Sequence, residues 1–365
     1  MVTTTGIGGA ESQVYDLACS FHARGWRVGV VSMRRVHKQY RPLRAAGVKV
    51  ICLHMSKGVP DPRALVRLAR FYRRWRPDVV HSHMVHANLL ARLARSLSPV
   101  PMLISTMHNQ DEGAQWRYFA YRLTDRFSEL TTNVSRLAVE EAVRRHAVPS
   151  NKVRLMRNGI RTERFARDPD ARASMRSSLA LGDSFTWLTV GRFVEAKRHS
   201  DLLAAIAIIR KQVPSVRLLI VGEGPLRPET ERQIDAMDLH RNVSLLGFRE
   251  DVPALMQAAD AFVMSSAWEG LPLAMLEASA SSLPIVATDV GGSGDVVEDG
   301  KSGFLMPVGE PASLAEAMLR IMRLPKEERI SMGDLARGLT VSKFDLQKVA
   351  DEWEAVYRSG LARHV

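Results

Sequence analysis

Short apolar runs alternate with amphipathic stretches along the whole chain. In the first half, Arg27–Ser32, Val48–Leu53, Asp78–His81 and Met102–Ser105 read as strands. Between them, 10–24, 61–75 and 87–97 carry apolar positions at helical spacing. The second half repeats the scheme with sharper edges. Strands are predicted at 185–190, 217–221, 243–246, 261–264 and 284–287, and helices at 200–212, 228–237, 252–259, 273–280 and 313–323. A tail over 342–361 places Leu346, Val349, Trp353 and Val356 on one helical stripe. Strands alternating with helices predict parallel sheets with right-handed crossovers, in an α/β fold of two doubly wound, Rossmann-like domains. The expected boundaries are 1–165 for the first domain, 166–182 for a polar linker, 183–340 for the second domain and 341–365 for a C-terminal helix crossing back to the first. Val2–Thr5 reads as the end of a first strand, either short or beginning upstream.

The 365 residues suit two domains with ample cores. Only two cysteines, Cys19 and Cys52, are present. A disulfide framework and a cysteine zinc site are therefore excluded, and a cytoplasmic location is expected. No apolar run approaches the length of a transmembrane helix, and no signal-peptide pattern opens the chain. The net charge of +12 is unevenly placed: residues 1–180 hold 31 Lys and Arg against 13 Asp and Glu, and the remainder 20 against 26. A basic half admits nucleic acid, an anionic membrane or an anionic substrate as partner.

Ligands of open α/β sheets bind at the carboxyl ends of the strands, so the loops after strands are where chemistry is sought. Gly6-Ile-Gly-Gly9 precedes a helix and suits close backbone approach to an anion, but lacks the third glycine of a dinucleotide fingerprint. His81-Ser-His83 and His108 end two predicted strands; packing and hydrogen bonding are favoured over a metal, because no carboxylate or cysteine cluster accompanies them. Arg192 and Lys197 follow the strand at 185–190 and suit a diphosphate, the one as a planar fork and the other as a point charge. Glu269 lies in a loop and Glu277 eight residues on, inside a helix that begins near Pro272 or Leu273. That helix start suits a phosphate better than a glycosidase carboxylate pair.

The Glu269-x7-Glu277 spacing in its Glu-Gly-Leu-Pro context resembles glycosyltransferase family 4, of the GT-B architecture. The remaining pieces occur in order: Gly8-Gly9-Ala10-Glu11, His81-x-His83, His108, Asn158-Gly159-Ile160, Gly191-Arg192 with Lys197, Gly222-Glu-Gly224-Pro225, Leu246-Gly247-Phe248, Gly291-Gly292 and Asp299-Gly300. Arg157 stands where relatives commonly carry proline, with little effect expected. The resemblance implies a retaining transferase whose two domains face across a cleft and which moves a sugar from a nucleotide-sugar, by default a UDP-sugar. By that resemblance Arg192 and Lys197 hold the diphosphate, Glu277 the ribose, and Glu269 the donor sugar. Gly270, Leu271, Pro272 and Leu273 form the turn facing phosphate and sugar, and Gly222, Gly224 and Phe248 line the base pocket. Gly8 and Gly9 approach the diphosphate or acceptor, and His108 touches the donor sugar. No metal and no cofactor are expected; Asp168-Pro-Asp170 spells a metal signature of another architecture but reads as a polar turn.

The acceptor implied is a glycan or a polyprenyl-phosphate-linked glycan in cell-surface or exported polysaccharide synthesis. An anionic inner-membrane surface is a candidate partner of the arginine-rich stretches 62–77 and 116–127. Competing readings are an epimerase or phosphorylase of the same architecture, and a basic nucleic-acid- or membrane-binding protein without activity. Nucleic acid is not expected, because no recognition module accompanies the charge.

Overall fold

A computed structural model describes residues 1–6, 8–59 and 61–363. The chain divides into two compact units, one of residues 1–160 with 346–365, the other of residues 161–345.

In the first unit, β1 (Gly29–Ser32) pairs with β2 (Lys49–Cys52), and β3 (Val79–His83), β4 (Met102–Met107), β5 (Leu130–Asn133) and β6 (Val153–Leu155) pair in that order, all parallel. Val2–Thr5 forms no strand. Val2 alone bridges both Ser32 and His83, and a cavity of about 160 Å³ beside it is lined by Met1, Gly29, Val80 and Tyr357, among others. β5 escapes the hydrophobic pattern because three of its four residues are polar, and β6 because it is only three residues long. Thr131 is nonetheless buried, and its hydroxyl accepts from the Arg92 guanidinium (2.7 Å), itself fully buried in the helix Val85–Leu97. Thr132 hydrogen-bonds Thr106 of β4 (2.7 Å).

In the second unit, β7 (Thr186–Val190), β8 (Arg217–Val221), β9 (Val243–Gly247), β10 (Ala261–Met264), β11 (Ile285–Thr288) and β12 (Gly303–Met306) form one parallel sheet ordered β12-β11-β10-β7-β8-β9. The chain winds outward from β7 in one direction and from β10 in the other, so the strand order reverses between β7 and β10. β12 lay outside the expected strands. It begins at Gly303, where a Cβ would sit 2.1 Å from the Ile285 carbonyl oxygen.

Two expected boundaries are corrected. Residues 166–182 are not a linker: Asp168 caps a helix at Pro169–Ser178 by accepting from the Ala171 N–H (2.9 Å). From that helix Arg172 (2.5 Å) and Arg176 (3.2 Å) pair with Asp260, whose carboxylate also accepts from the Thr186 N–H (2.8 Å) at the start of β7. Its exposed, apolar-poor sequence hid the helix. At the other end, the second unit runs on through a helix at Lys326–Phe344, and only Leu346–Leu361 packs with the first unit. There Leu346, Val349, Trp353, Val356 and Tyr357 bury against Leu17, Phe21, Met102, Ile104 and Met156. Among the described residues, no helix is long and apolar enough to cross a membrane.

Candidate functional site

The switch in strand order between β7 and β10 marks the place where an open α/β sheet takes a ligand. The loop after β7 carries Gly191, Arg192 and Lys197; the loop after β10 carries Glu269 to Pro272. Their backbones are tied together. The Ala267 N–H donates to the Ala196 carbonyl (2.7 Å), and the Ser265 hydroxyl reaches the carbonyls of Lys197 (2.9 Å) and Arg198 (3.0 Å). Across this seam the Lys197 ammonium forms an ion pair with Glu269 Oε1, the side chains only 18% and 14% exposed. The buried Ser266 hydroxyl donates to the same oxygen (2.7 Å). Arg192 is exposed and makes no ion pair among the described residues.

Close approach explains the glycines. Gly222, after β8, has φ +144°, and a Cβ there would lie 1.9 Å from the Gly191 carbonyl oxygen; one on Gly224 would lie 2.4 Å from that of Phe193. The Gly292 N–H donates to the Gly270 carbonyl (2.6 Å), bringing the loop after β11 onto the same turn. Gly270, Leu271 and Pro272 are buried, Pro272 is the N-cap of the helix Leu273–Ala280, and half-buried Glu277 lies in its second turn. Phe248 follows β9 and is 46% exposed. The predicted residues of this unit thus gather on the carboxyl-end loops of one sheet. Two cations and a helix start, with carboxylates on the same loops and helix, are groups chemically able to hold an anion and hydroxyl groups.

The first unit holds the other predicted residues by itself. Gly8 is the N-cap of the helix Gly9–Ala23 with extended backbone (φ −172°), and Gly9 is its first residue. His108 follows β4. Its Nε2 lies 3.0 Å from His83 Nδ1 at the end of β3, while its own Nδ1 is buried without a partner among the described residues. His81 bridges the Tyr357 hydroxyl and Thr106 Oγ1, both at 2.6 Å, and packs at a tilt of 45° against Trp353 at 4.3 Å between centroids. Burial holds His108 neutral, with its pKa lowered to about 4, and pushes His81 and His83 well down.

Sequence reasoning missed Ser266 and Glu112. The Glu112 carboxyl is buried in the loop after β4, where desolvation raises its pKa to about 7 against the opposing pull of Arg117. Nothing in the local sequence signals either burial. Among the described residues no group of three His, Cys, Asp or Glu is placed to hold a metal ion, and Asp168 is spent on its helix cap.

Residues 7–164 match the family model Glycosyltransferase Family 4, and residues 170–338 match Glycosyl transferases group 1. The chain belongs to the family 4 type of glycosyltransferases. It is 27% identical over 334 residues to the Escherichia coli UDP-Gal:alpha-D-GlcNAc-diphosphoundecaprenol alpha-1,3-galactosyltransferase, covering 86% of this chain and 84% of that one. It is also 27% identical over 306 residues to a Mycobacterium tuberculosis GDP-mannose-dependent alpha-(1-6)-phosphatidylinositol monomannoside mannosyltransferase, covering 80% and 79%. The Anabaena protein HepE, solved with UDP-glucose, shares the fold with a TM-score of 0.87 over 98% of both chains at 20% identity. This glycosyltransferase therefore has the GT-B fold and belongs with enzymes of polysaccharide and glycolipid synthesis.

Proposed function

We propose that this glycosyltransferase moves a hexose from a UDP-sugar, with retention of anomeric configuration, to a glycan or polyprenyl-phosphate-linked acceptor. The reaction serves cell-surface or exported polysaccharide synthesis, at the cytoplasmic side of the inner membrane. The observation that carries the reading is the Lys197–Glu269 pair at the β7/β10 switch point, with Arg192 beside it and Glu277 on the adjoining helix. Arg192 and Lys197 hold the diphosphate and stabilise the charge that grows on the leaving phosphate, without a metal ion. Glu277 takes the ribose hydroxyls, and Glu269 those of the sugar. Neutral, half-buried His108 contacts the donor sugar. The leaving phosphate accepts the acceptor's proton on the face it departs from, which yields retention.

The name of the Escherichia coli relative and the HepE complex with UDP-glucose support a uridine nucleotide. The mannosyltransferase relative makes the base the variable to test. The experiment is donor binding and slow hydrolysis across UDP-, GDP- and ADP-sugars, with and without EDTA, and with Glu277→Ala as control. One UDP-sugar turning over, insensitive to EDTA and lost in Glu277→Ala, is the expected result. Turnover confined to a GDP- or ADP-sugar, or abolished by EDTA, refutes the corresponding part. The anomeric configuration of the product, read by NMR, decides retention.

A further inference from the structure

The loops after β1 and β2 enclose a pocket of about 380 Å³, lined by Thr4, Arg34, Arg35, Met55, Ser56 and Lys57. Three of these side chains are cations and none is a carboxylate. Arg34, Arg35 and Lys57 form no ion pair among the described residues. The sequence around them supplies no counterion: from residue 17 to residue 60 the chain holds nine Lys and Arg and neither Asp nor Glu. The carboxylate that follows, Asp61, is taken by Arg63 (3.0 Å) and Arg67 (2.5 Å). Like charges that converge on one cavity repel each other, so the arrangement works against stability until an anion enters.

The frame of the pocket is fixed. The Leu53 N–H donates to the Ser32 carbonyl (2.9 Å) and the Met55 N–H to the Met33 carbonyl (2.8 Å), so the two loops leave their strands still paired. The Cys52 thiol donates to the Arg34 carbonyl (3.1 Å). Thr4 is tied in from the third side. The His37 N–H donates to the Thr5 hydroxyl oxygen (2.7 Å), and the Gln39 amide to the carbonyls of Thr5 (3.0 Å) and Gly6 (2.7 Å). Arg34 is half-buried, whereas Arg35 and Lys57 are exposed. Two guanidinium forks, one ammonium and the hydroxyls of Thr4 and Ser56 make a donor-rich set suited to phosphate oxygens. A cationic ligand finds no acceptor charge there, and Met55 alone offers little to an apolar one.

The pocket lies at the carboxyl ends of β1 and β2, the same end of the unit at which His108 follows β4. Val2 stands between β1 and β3, and β4 pairs with β3. Three strand spacings, about 14 Å, therefore separate β1 from β4. We propose that the pocket holds the phosphate or diphosphate through which the acceptor is linked to its carrier, while the acceptor's sugar extends toward His108. The inference rests on the proposed transfer to a polyprenyl-phosphate-linked acceptor, and it gives the charged part of that acceptor named partners in this chain.

The test is calorimetry with inorganic diphosphate and with its symmetrical dimethyl ester, which mimics a linkage esterified at both ends. Lys197→Met is the background, so that the second unit contributes little. Both anions are expected to bind within about tenfold of each other, and to weaken as salt is raised. Arg34→Gln with Lys57→Gln should weaken both by about tenfold or more. In the otherwise native chain that double variant should leave UDP affinity within about twofold. Its melting temperature should not fall, because it removes two of three mutually repelling charges. No binding of either anion while the pocket is intact overturns the proposal, as does binding that the double variant leaves untouched. Binding of inorganic diphosphate without its dimethyl ester also overturns it, because the pocket would then take a free anion and not a linkage. A fall in UDP affinity in the double variant would assign the pocket to the donor instead. Failure of the donor reading shows separately, as absent UDP-sugar hydrolysis by the native chain.

Discussion

Glu269→Gln separates two roles that the ion pair combines. In the structure Lys197 is engaged by Glu269, with both side chains mostly buried. At an effective dielectric near 20 the attraction is about 4 kcal/mol, and desolvation of the two charges takes back most of it. Removing one charge leaves the other without its counterion, so the variant should lose about 1–3 kcal/mol of stability. For a unit of this size that corresponds to a fall of roughly 2–10 °C in melting temperature. UDP affinity should move the other way. The variant frees Lys197 for the diphosphate and removes a negative charge beside it, so calorimetry should show UDP binding unchanged or tighter by up to about tenfold (~1.4 kcal/mol). Lys197→Met should instead weaken UDP by about ten- to a hundredfold, the worth of a charge-assisted hydrogen bond. Sugar transfer, followed by UDP release, should fall by at least about a hundredfold in both. The reasoning is refuted if Glu269→Gln weakens UDP as much as Lys197→Met does, because Glu269 would then serve the nucleotide and not the sugar.

Four further outcomes are expected. Gly222→Ala forces a Cβ against the Gly191 carbonyl from a left-handed backbone; it should cost about 3 kcal/mol or more and show as a lowered melting temperature. Trp353→Ala, at a side chain 2% exposed and packed against His81, should cost about 3–5 kcal/mol in urea denaturation. His83→Phe keeps a ring beside His81 but removes the bond to His108; kcat should fall by about 10- to 100-fold with KM little changed, and His83→Gln should recover part of it. Acid and alkaline stability should have separate origins. His108, lowered to about 4, contributes stability that is full above its unfolded value of 6.5 and is lost as pH falls toward 4. Glu112, raised to about 7, contributes stability that is full below its unfolded value of 4.5 and is lost as pH rises through 7. In Glu112→Gln the stability change between about pH 5 and about pH 8 should therefore shift by about 2–3 kcal/mol in favour of the higher pH.

Alternation of apolar and amphipathic segments located β1–β4 and β7–β11, because each of those strands carries at least two adjacent apolar residues. It failed at β5, where Thr131, Thr132 and Asn133 are buried through hydrogen bonds to distant partners, the arginine at position 92 among them. It failed again at 166–182, where Asp260 holds a surface helix in place through ion pairs formed 84 and 88 residues away in sequence. The site divides in the same way. Arg192, Lys197 and Glu269, in loops that follow strands, and Glu277, in the adjoining helix, stand out by local spacing. That Lys197 and Glu269 neutralise each other, and that His83 faces His108, depend on pairing 72 and 25 residues apart in sequence, which no local window contains.

The helix Leu346–Leu361 closes the core of the unit that contains residues 1–160. The Leu346 N–H also donates to the Ile160 carbonyl (2.8 Å), and the Tyr357 hydroxyl meets His81. Domains generally fold in the order in which they leave the ribosome. Here that order is inverted. Residues 161–345 have every strand of their sheet before the helix is synthesised, whereas Leu17, Phe21, Met102 and Ile104 wait uncovered for a segment made after all of them. The nascent chain therefore carries an apolar face through most of its own translation, and chaperone dependence should attach to the half that is made first.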